Sequence, residues 1–213
     1  MSILSDILRA LFPLLLLAMG WMVGWLLAYF TYPAYADLLG LVGFAMIAAI
    51  LFYHSWMMKV PPIPLPHAVQ RAIIAAIPDG IGEIYELGCG FGHLAMALAR
   101  AFPGRRIVAI EYSIIPFCVA WLWVKICGYR NITVRRGDFL SMDLRDAAVM
   151  TSYLYPPLMP HVRDWLQNNC IRPQLLLNVN FPIPDMPPKQ IIQVDRIGSP
   201  IPDEVFIYEF KPR

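Results

Sequence analysis

The chain has 213 residues, 58% of them hydrophobic and only 15% charged, where a typical globular chain carries about 25% charged residues. Its formal charge of +2 is near balance, and from Val60 onward 15 Lys and Arg stand against 13 Asp and Glu, which argues against nucleic acid as a partner. The cysteines at 89, 118, 127 and 170 show no C-x-x-C pairing and the four histidines are scattered, so no metal site and no disulfide framework is expected, and the thiols read as reduced.

The low charge is concentrated at the start. No charged residue occurs from Ala10 to Ala36 or from Leu38 to Met58. As helices, runs of that length would rise about 40 Å and about 31 Å, against a hydrocarbon core of about 30 Å. The reading is a transmembrane helical hairpin over residues 1–59, with spans at about 10–31 and 37–58 joined by the proline-broken Thr31–Ala36. Trp21, Trp25, Tyr32, Tyr35, Tyr53 and Trp56 are candidates for interfacial anchors. Arg9 precedes the first span, Lys59 and Arg71 follow the second, and the connection has neither Lys nor Arg. The positive-inside rule then places both termini and the rest of the chain on the cytoplasmic, or matrix-equivalent, side of the bilayer.

Residues 60–213 read as a separate α/β domain. Val60 to Pro66 alternates with proline and forms an extended spacer. A helix is expected over His67–Ile77, stopped by Pro78-Asp79-Gly80. Strands are expected at Glu83–Leu87, Arg106–Glu111, Ile132–Arg136, Ala147–Leu154 and Gln174–Val179. Helices at Gly92–Phe102, Ile115–Cys127 and Pro157–Asn168 fall between them. Two last runs, Gln190–Ile197 and Glu204–Phe210, form a terminal hairpin. Helices between strands require a mainly parallel sheet, and the consecutive final strands add an antiparallel edge. The helix after the second strand holds Phe117, Trp121 and Trp123 with Lys125 as its one charge. It reads as covering the sheet, with a rest on the bilayer as the alternative.

The chemistry concentrates in Glu86-Leu87-Gly88-Cys89-Gly90-Phe91-Gly92, followed some twenty residues later by Ile107-Val108-Ala109-Ile110-Glu111. The first is a strand breaking into a glycine turn that opens a helix. The second is a strand ending in a carboxylate, the pair by which an open α/β sheet holds a nucleoside with free ribose hydroxyls. A dinucleotide fingerprint is G-x-G-x-x-G, but His93 stands where its last glycine belongs and the third glycine comes one residue early. An E-x-G-x-G-x-G turn allows close backbone approach without cradling a phosphate. This suits S-adenosylmethionine, which has a ribose, an amino acid tail and a sulfonium but no phosphate. Glu111 is the candidate for the ribose hydroxyls, through charge-assisted bonds worth about 1.5–3 kcal/mol each. The alternative is a glycine turn in a nucleotide-free protein, with Glu111 a solvated strand end.

Other candidates lie on the same strand ends. Glu86 reads as facing the cofactor's ammonium group, directly or through water, or as capping the following helix. Gly88, Cys89, Gly90 and Gly92 form the turn itself, and Tyr112 follows Glu111. Tyr153 and Tyr155, after the fourth strand, are candidates for shaping the methyl-transfer mouth, against simple aromatic packing. Asn180 is a weaker candidate on that edge.

The chain resembles the class I methyltransferases, and within them the small membrane-anchored lysine methyltransferases that act on the ATP synthase c subunit and the adenine nucleotide translocase, with their prokaryotic relatives. The resemblance runs from about Pro61 to the C-terminus. It rests on Pro62-Ile63-Pro64-Leu65-Pro66, the Glu86–Gly92 turn, Ile110-Glu111-Tyr112, Gly137-Asp138-Phe139, Tyr153-Leu154-Tyr155-Pro156-Pro157-Leu158-Met159 and Phe181-Pro182-Ile183-Pro184. Phe91 replaces an acidic residue usual in that family, and Leu65 a hydroxyl residue. The resemblance implies a Rossmann-like sheet of order 3-2-1-4-5-7-6, with Asp138 receiving the adenine amino group and Phe139 stacking on the purine. A solvated turn is the alternative for both. It implies methylation of lysine in a membrane protein. A methyltransferase for a lipid or quinone head group, and an inactive cofactor-binding assembly factor in the membrane, are the alternatives.

Overall fold

The structure, a computed structural model, describes residues 20–27, 29–32, 35, 37–46, 65–80, 82–169, 174–195 and 201–210. The chain divides into two compact units, Met1–Pro61 and Pro62–Arg213. In the first, helical residues 20–27 and 37–46 lie against each other. The Trp21 indole donates to the Leu39 carbonyl at 3.2 Å and fills the space that a Cβ on Gly43 would take.

The transmembrane hairpin is not what these residues form. Among the described residues no helix is long and apolar enough to cross a membrane. The described part of the second expected span, helical over 37–46, accounts for about 15 Å of rise against a hydrocarbon core of about 30 Å. A charge-free run shows how long a helix is allowed to be, and does not by itself require that one of that length forms. The cytoplasmic placement of the catalytic domain was derived from those spans and falls with them. Residues 10–19 and 47–58 of the expected spans, with Tyr53 and Trp56, lie outside the described residues, as do Val60 to Pro64 of the spacer.

The second unit is an α/β sandwich. Its elements are α1 (His67–Ala76), β1 (Glu83–Leu87), α2 (His93–Ala101), β2 (Ile107–Glu111), α3 (Ile114–Ile126), β3 (Ile132–Arg136), β4 (Ala147–Ser152), α4 (Met159–Asn169), β5 (Gln174–Val179), β6 (Gln190–Val194) and β7 (Asp203–Phe210). The seven strands follow the order 3-2-1-4-5-7-6. β1 to β5 are parallel, with Leu87 opposite Ile110 and Ser152, and β7 runs antiparallel between β5 and β6. Buried on both faces, β2 is a nearly continuous apolar run, as a covered parallel sheet requires, while β1 carries Glu86 into the same buried layer.

Strand alternation sorts the side chains by face. Tyr85, Leu87, Val108, Ile110 and Met150 join Met159, Val162 and Leu166 of α4 in one core cluster. Glu86, out of phase with Tyr85 and Leu87, faces the other side, where α2 begins. α3 buries Phe117, Cys118, Ala120 and Val124 over the sheet but leaves Leu122, Trp123 and Ile126 exposed, so it covers the sheet with one face only. The order reverses between β1 and β4, and the crevice outside the carboxyl ends of these strands is where such sheets take their ligands.

Candidate active site

The glycine turn is folded onto β2. The N–H groups of Gly88 and Cys89 both donate to the Ile110 carbonyl at 2.9 Å, and Gly92 N–H donates back to the Cys89 carbonyl at 2.8 Å. Gly88, Gly90 and Gly92 all hold left-handed φ values, of 73°, 53° and 80°. Their surroundings separate their roles. A Cβ on Gly92 would lie 3.2 Å from Ala120 of α3, and one on Gly88 would run into Leu154, so these two glycines serve packing. A Cβ on Gly90 would meet nothing within 4 Å. That backbone opens onto free space above the strand ends, where a ligand can approach it closely.

Glu111 ties the turn to the start of α3. One carboxylate oxygen accepts the Gly90 N–H and the other the Ser113 N–H, each at 2.8 Å, and the residue is buried. Each oxygen has a second lone pair, so the carboxylate keeps acceptor capacity for hydroxyl groups. The solvated strand-end reading does not describe it.

Glu86 takes the capping role and has one oxygen left over. Its carboxyl accepts the Ala95 N–H in the first turn of α2, the capping role, while Oε2 is buried with no hydrogen-bond partner. Burial raises its pKa to about 8, the Ala95 N–H opposing and the Glu111 charge adding to the shift. A buried acid with an orphaned oxygen suits a cationic group that arrives with a ligand. Cys89 is buried and its thiol is pushed well above its ordinary range, first by burial and then by the Glu86 and Glu111 charges. It is an inert part of the turn.

The remaining expected residues divide. Tyr112 is exposed. Gly137 N–H donates to the Glu111 carbonyl at 3.0 Å, which brings Asp138 to the same edge. Asp138 is exposed and accepts the Leu140 N–H at 3.0 Å, leaving its other oxygen available. Phe139 is in the core with Leu144, Ala147 and Met150, so its ring has no open face for a purine. β4 ends at Ser152, so Tyr153 and Tyr155 lie in the loop beyond it, both half-buried. Asn180 is committed to β7: its side chain donates to Asp203 and accepts the Glu204 N–H, both at 2.9 Å.

Two residues escaped the sequence, Ser152 and Asn178, and Phe181 figured only as part of a motif. Ser152 Oγ donates to Asn178 Oδ1 at 2.6 Å, deep in the sheet. The Phe181 ring lies parallel to that of Tyr153, 5° between planes and 6.4 Å between centroids. The available signal was a polar residue near the carboxyl end of each of two largely apolar strands, Ser152 last in β4 and Asn178 next to last in β5.

The Gly90 opening, the unmatched Glu86 oxygen and the spare capacity of Glu111 together fit S-adenosylmethionine: backbone approach, an ammonium and a diol. Residues 86–190 match the family described as the ANTKMT methyltransferase domain. The chain is 24% identical over 143 residues to a protein-lysine N-methyltransferase of Saccharolobus islandicus (strain REY15A), covering 66% of this chain and 89% of that protein. An RNA methyltransferase from Salinibacter ruber, solved with S-adenosylhomocysteine, superposes with a TM-score of 0.61 at 25% identity, covering 71% of this chain and 95% of that one. A Bacillus subtilis tRNA methyltransferase shares the fold at a TM-score of 0.53 and 16% identity, covering 70% of this chain and 67% of its own. With the matched domain spanning the glycine turn and the fold shared with cofactor-bound enzymes, the chain is a class I S-adenosylmethionine-dependent methyltransferase.

Proposed function

We propose that this enzyme methylates the ε-amino group of lysine in a protein acceptor. The observation that carries the acceptor class is the protein-lysine N-methyltransferase of S. islandicus, 89% of which this chain covers. When bound, S-adenosylmethionine supplies a methyl group already activated on sulfonium. The protein's part is then orientation and exclusion of water. Glu86 Oε2 receives the ammonium end, and the backbone of Gly88, Cys89, Gly90 and Gly92 borders the ligand. Glu111 accepts from the ribose hydroxyls through the lone pairs that Gly90 and Ser113 leave free, with Tyr112 beside it. The free oxygen of Asp138 takes the adenine amino group, and Phe139 anchors that turn from below rather than stacking.

Tyr153 and Tyr155 stand one strand over, at the acceptor mouth. A lysine ammonium, with a pKa of about 10.4, must lose its proton to become a nucleophile. A half-buried aromatic rim favours the neutral amine, and a tyrosine hydroxyl orients it. A membrane protein, the acceptor that the sequence resemblance implies, is the finer form of this proposal.

The test incubates the full chain with methyl-labelled cofactor and either native membranes or soluble extract, then separates protein, lipid and RNA. Label in protein, recovered as methyl-lysine after hydrolysis, is the expected result, and label in the membrane fraction supports the finer form. Label in lipid or RNA overturns the lysine reading.

A further inference from the structure

The Phe181-Pro182-Ile183-Pro184 run and the buried Ser152–Asn178 pair have no part in holding the cofactor, yet they meet at the carboxyl edge beside it. Tyr153 follows β4 directly, and the next residue, Leu154, packs on Gly88 of the glycine turn. The Phe181 ring is parallel to Tyr153 at 6.4 Å, within the offset-stacked range, and both residues are half-buried, so part of the pair stays open.

The position of that pair is fixed from several sides. Asn178 is 1% exposed, takes the Ser152 hydroxyl on its oxygen, and donates from its nitrogen to the Phe181 carbonyl. Ser152 adjoins Tyr153, so one buried amide joins the backbones that carry both rings. Phe181 N–H donates to the Val179 carbonyl at 2.9 Å, and Asn180 between them holds a left-handed φ of 63°. Farther on, Ile183 N–H donates to the Tyr208 hydroxyl at 2.8 Å, and Arg163 of α4 pairs with Asp185 at 2.8 Å. A loop so heavily tied is built to present something.

We propose that Phe181 with Tyr153 forms an aromatic wall that receives the alkylammonium side chain of the acceptor, and that Asn178 is the positioning residue that sets it. The proposal rests on the lysine reading above. Its logic lies in what a methyl acceptor needs. A carboxylate beside the amine would hold it as the ammonium and block attack. The acids on the neighbouring strands, Glu86 and Glu111, are bonded to the glycine turn and α2. A π face attracts an alkylammonium more weakly, lets the proton leave, and still favours the larger, softer cation once methyl groups are added. The wall would therefore retain a partly methylated chain for another round.

The test titrates n-butyltrimethylammonium into the full chain saturated with S-adenosylhomocysteine, read by proton NMR, with 3,3-dimethylbutanol as the neutral control. The cation's N-methyl signals are expected to shift upfield by ring current in the wild type and in Phe181→Tyr. Affinity is expected to fall about tenfold in Phe181→Leu, which keeps bulk but not the π face. The neutral control should not distinguish the three proteins, and S-adenosylhomocysteine affinity, the check on folding, should stay unchanged. Asn178→Ala should weaken the cation while cofactor binding persists. Absence of an upfield shift in the wild type, or equal cation affinity in Phe181→Leu, overturns the wall. Methyl-lysine formed without such a wall leaves the lysine reading standing, and label outside protein removes that reading alone.

Discussion

Glu86→Gln isolates the buried acid under the glycine turn. Folded, the carboxyl has a pKa of about 8; in the unfolded chain it returns to about 4.5. Between those values the native state holds a proton that the unfolded state has released. Stability therefore falls as pH rises, by about 1.4 kcal/mol per unit. The contribution is fully present below about pH 4.5 and is lost as pH climbs through about 8. From pH 5 to 7.5 the loss is about 3 kcal/mol, a large share of the 5–15 kcal/mol that usually holds a domain together. Glutamine has nearly the shape of the protonated acid but does not titrate. Its extra N–H groups add an offset that does not vary with pH. Urea denaturation of both proteins without ligand, at several values from pH 5 to 8, gives the difference directly, because every other group titrates alike in the two. The variant should gain on the wild type by about 3 kcal/mol across that range. A difference that stays flat refutes the buried-acid argument. S-adenosylhomocysteine extends the test. Its ammonium favours the ionised carboxylate, so binding near pH 7 should release a proton, seen calorimetrically as a buffer-dependent heat that Glu86→Gln abolishes.

Glu111→Ala removes the acceptor for both the Gly90 and Ser113 N–H groups, and calorimetry should show S-adenosylhomocysteine bound at least tenfold more weakly. Unchanged affinity would remove the ribose contact. Gly90→Ala and Gly92→Ala impose the same left-handed backbone on a side chain, at about 1–2 kcal/mol each, but only the new methyl at 90 enters the open space. Cofactor affinity should therefore collapse in the first and largely survive in the second, where Ala120 must give way; equal losses would mean that the turn has no ligand side. Asn180→Ala releases two side-chain bonds to β7 and should lower stability by about 1–3 kcal/mol in denaturant melts, with cofactor affinity unaffected.

The strands, the helices between them and the closing hairpin were legible because their determinants are local, whereas the order 3-2-1-4-5-7-6 came from the resemblance to the class I methyltransferases. Buried parallel strands are unbroken apolar runs such as Ile107–Ile110, helices separate them, and two successive strands can only close as a hairpin. The glycine turn was legible for the same reason, since left-handed φ demands a residue type. What escaped depends on which way side chains face once the strands are paired. Phe139 looked like a purine platform, but it lies in the core while Asp138, one residue back, is exposed. Asn180 sat on the correct edge, yet its left-handed φ turns it to β7. Ser152 and Asn178 stand 26 residues apart, and only the pairing of β4 with β5 brings them together. α3 has Lys125 as its single charge and apolar residues all around its axis, so periodicity could not mark the face that leaves Trp123 and Ile126 exposed. The membrane spans failed for a related reason: hydropathy measures what a segment tolerates, and among the described residues no helix is long and apolar enough to cross a membrane.

The sheet's reversal divides the labour of the site. On the β1–β2–β3 side, Glu111 binds the glycine turn to α3, and the turn's backbone is held before any ligand arrives. On the β4–β5 side, Asn178 binds Ser152 to Phe181 in the same manner. Each half is locked by one buried side chain that bridges two strand ends, and the two locks have no hydrogen-bond partner in common. Methyl transfer requires two reactants brought to van der Waals contact in line, and little else from the protein, so most of the rate must come from fixing both before they meet. Two separate locks do that without making either ligand's affinity depend on the other. Changes at Glu111 should consequently appear in cofactor affinity and changes at Asn178 in acceptor KM, with their effects on kcat/KM adding in the double variant as they do for sites without shared partners. A strong coupling between them would mean that the crevice is one cooperative unit, and the division drawn at β1 and β4 would be in the wrong place.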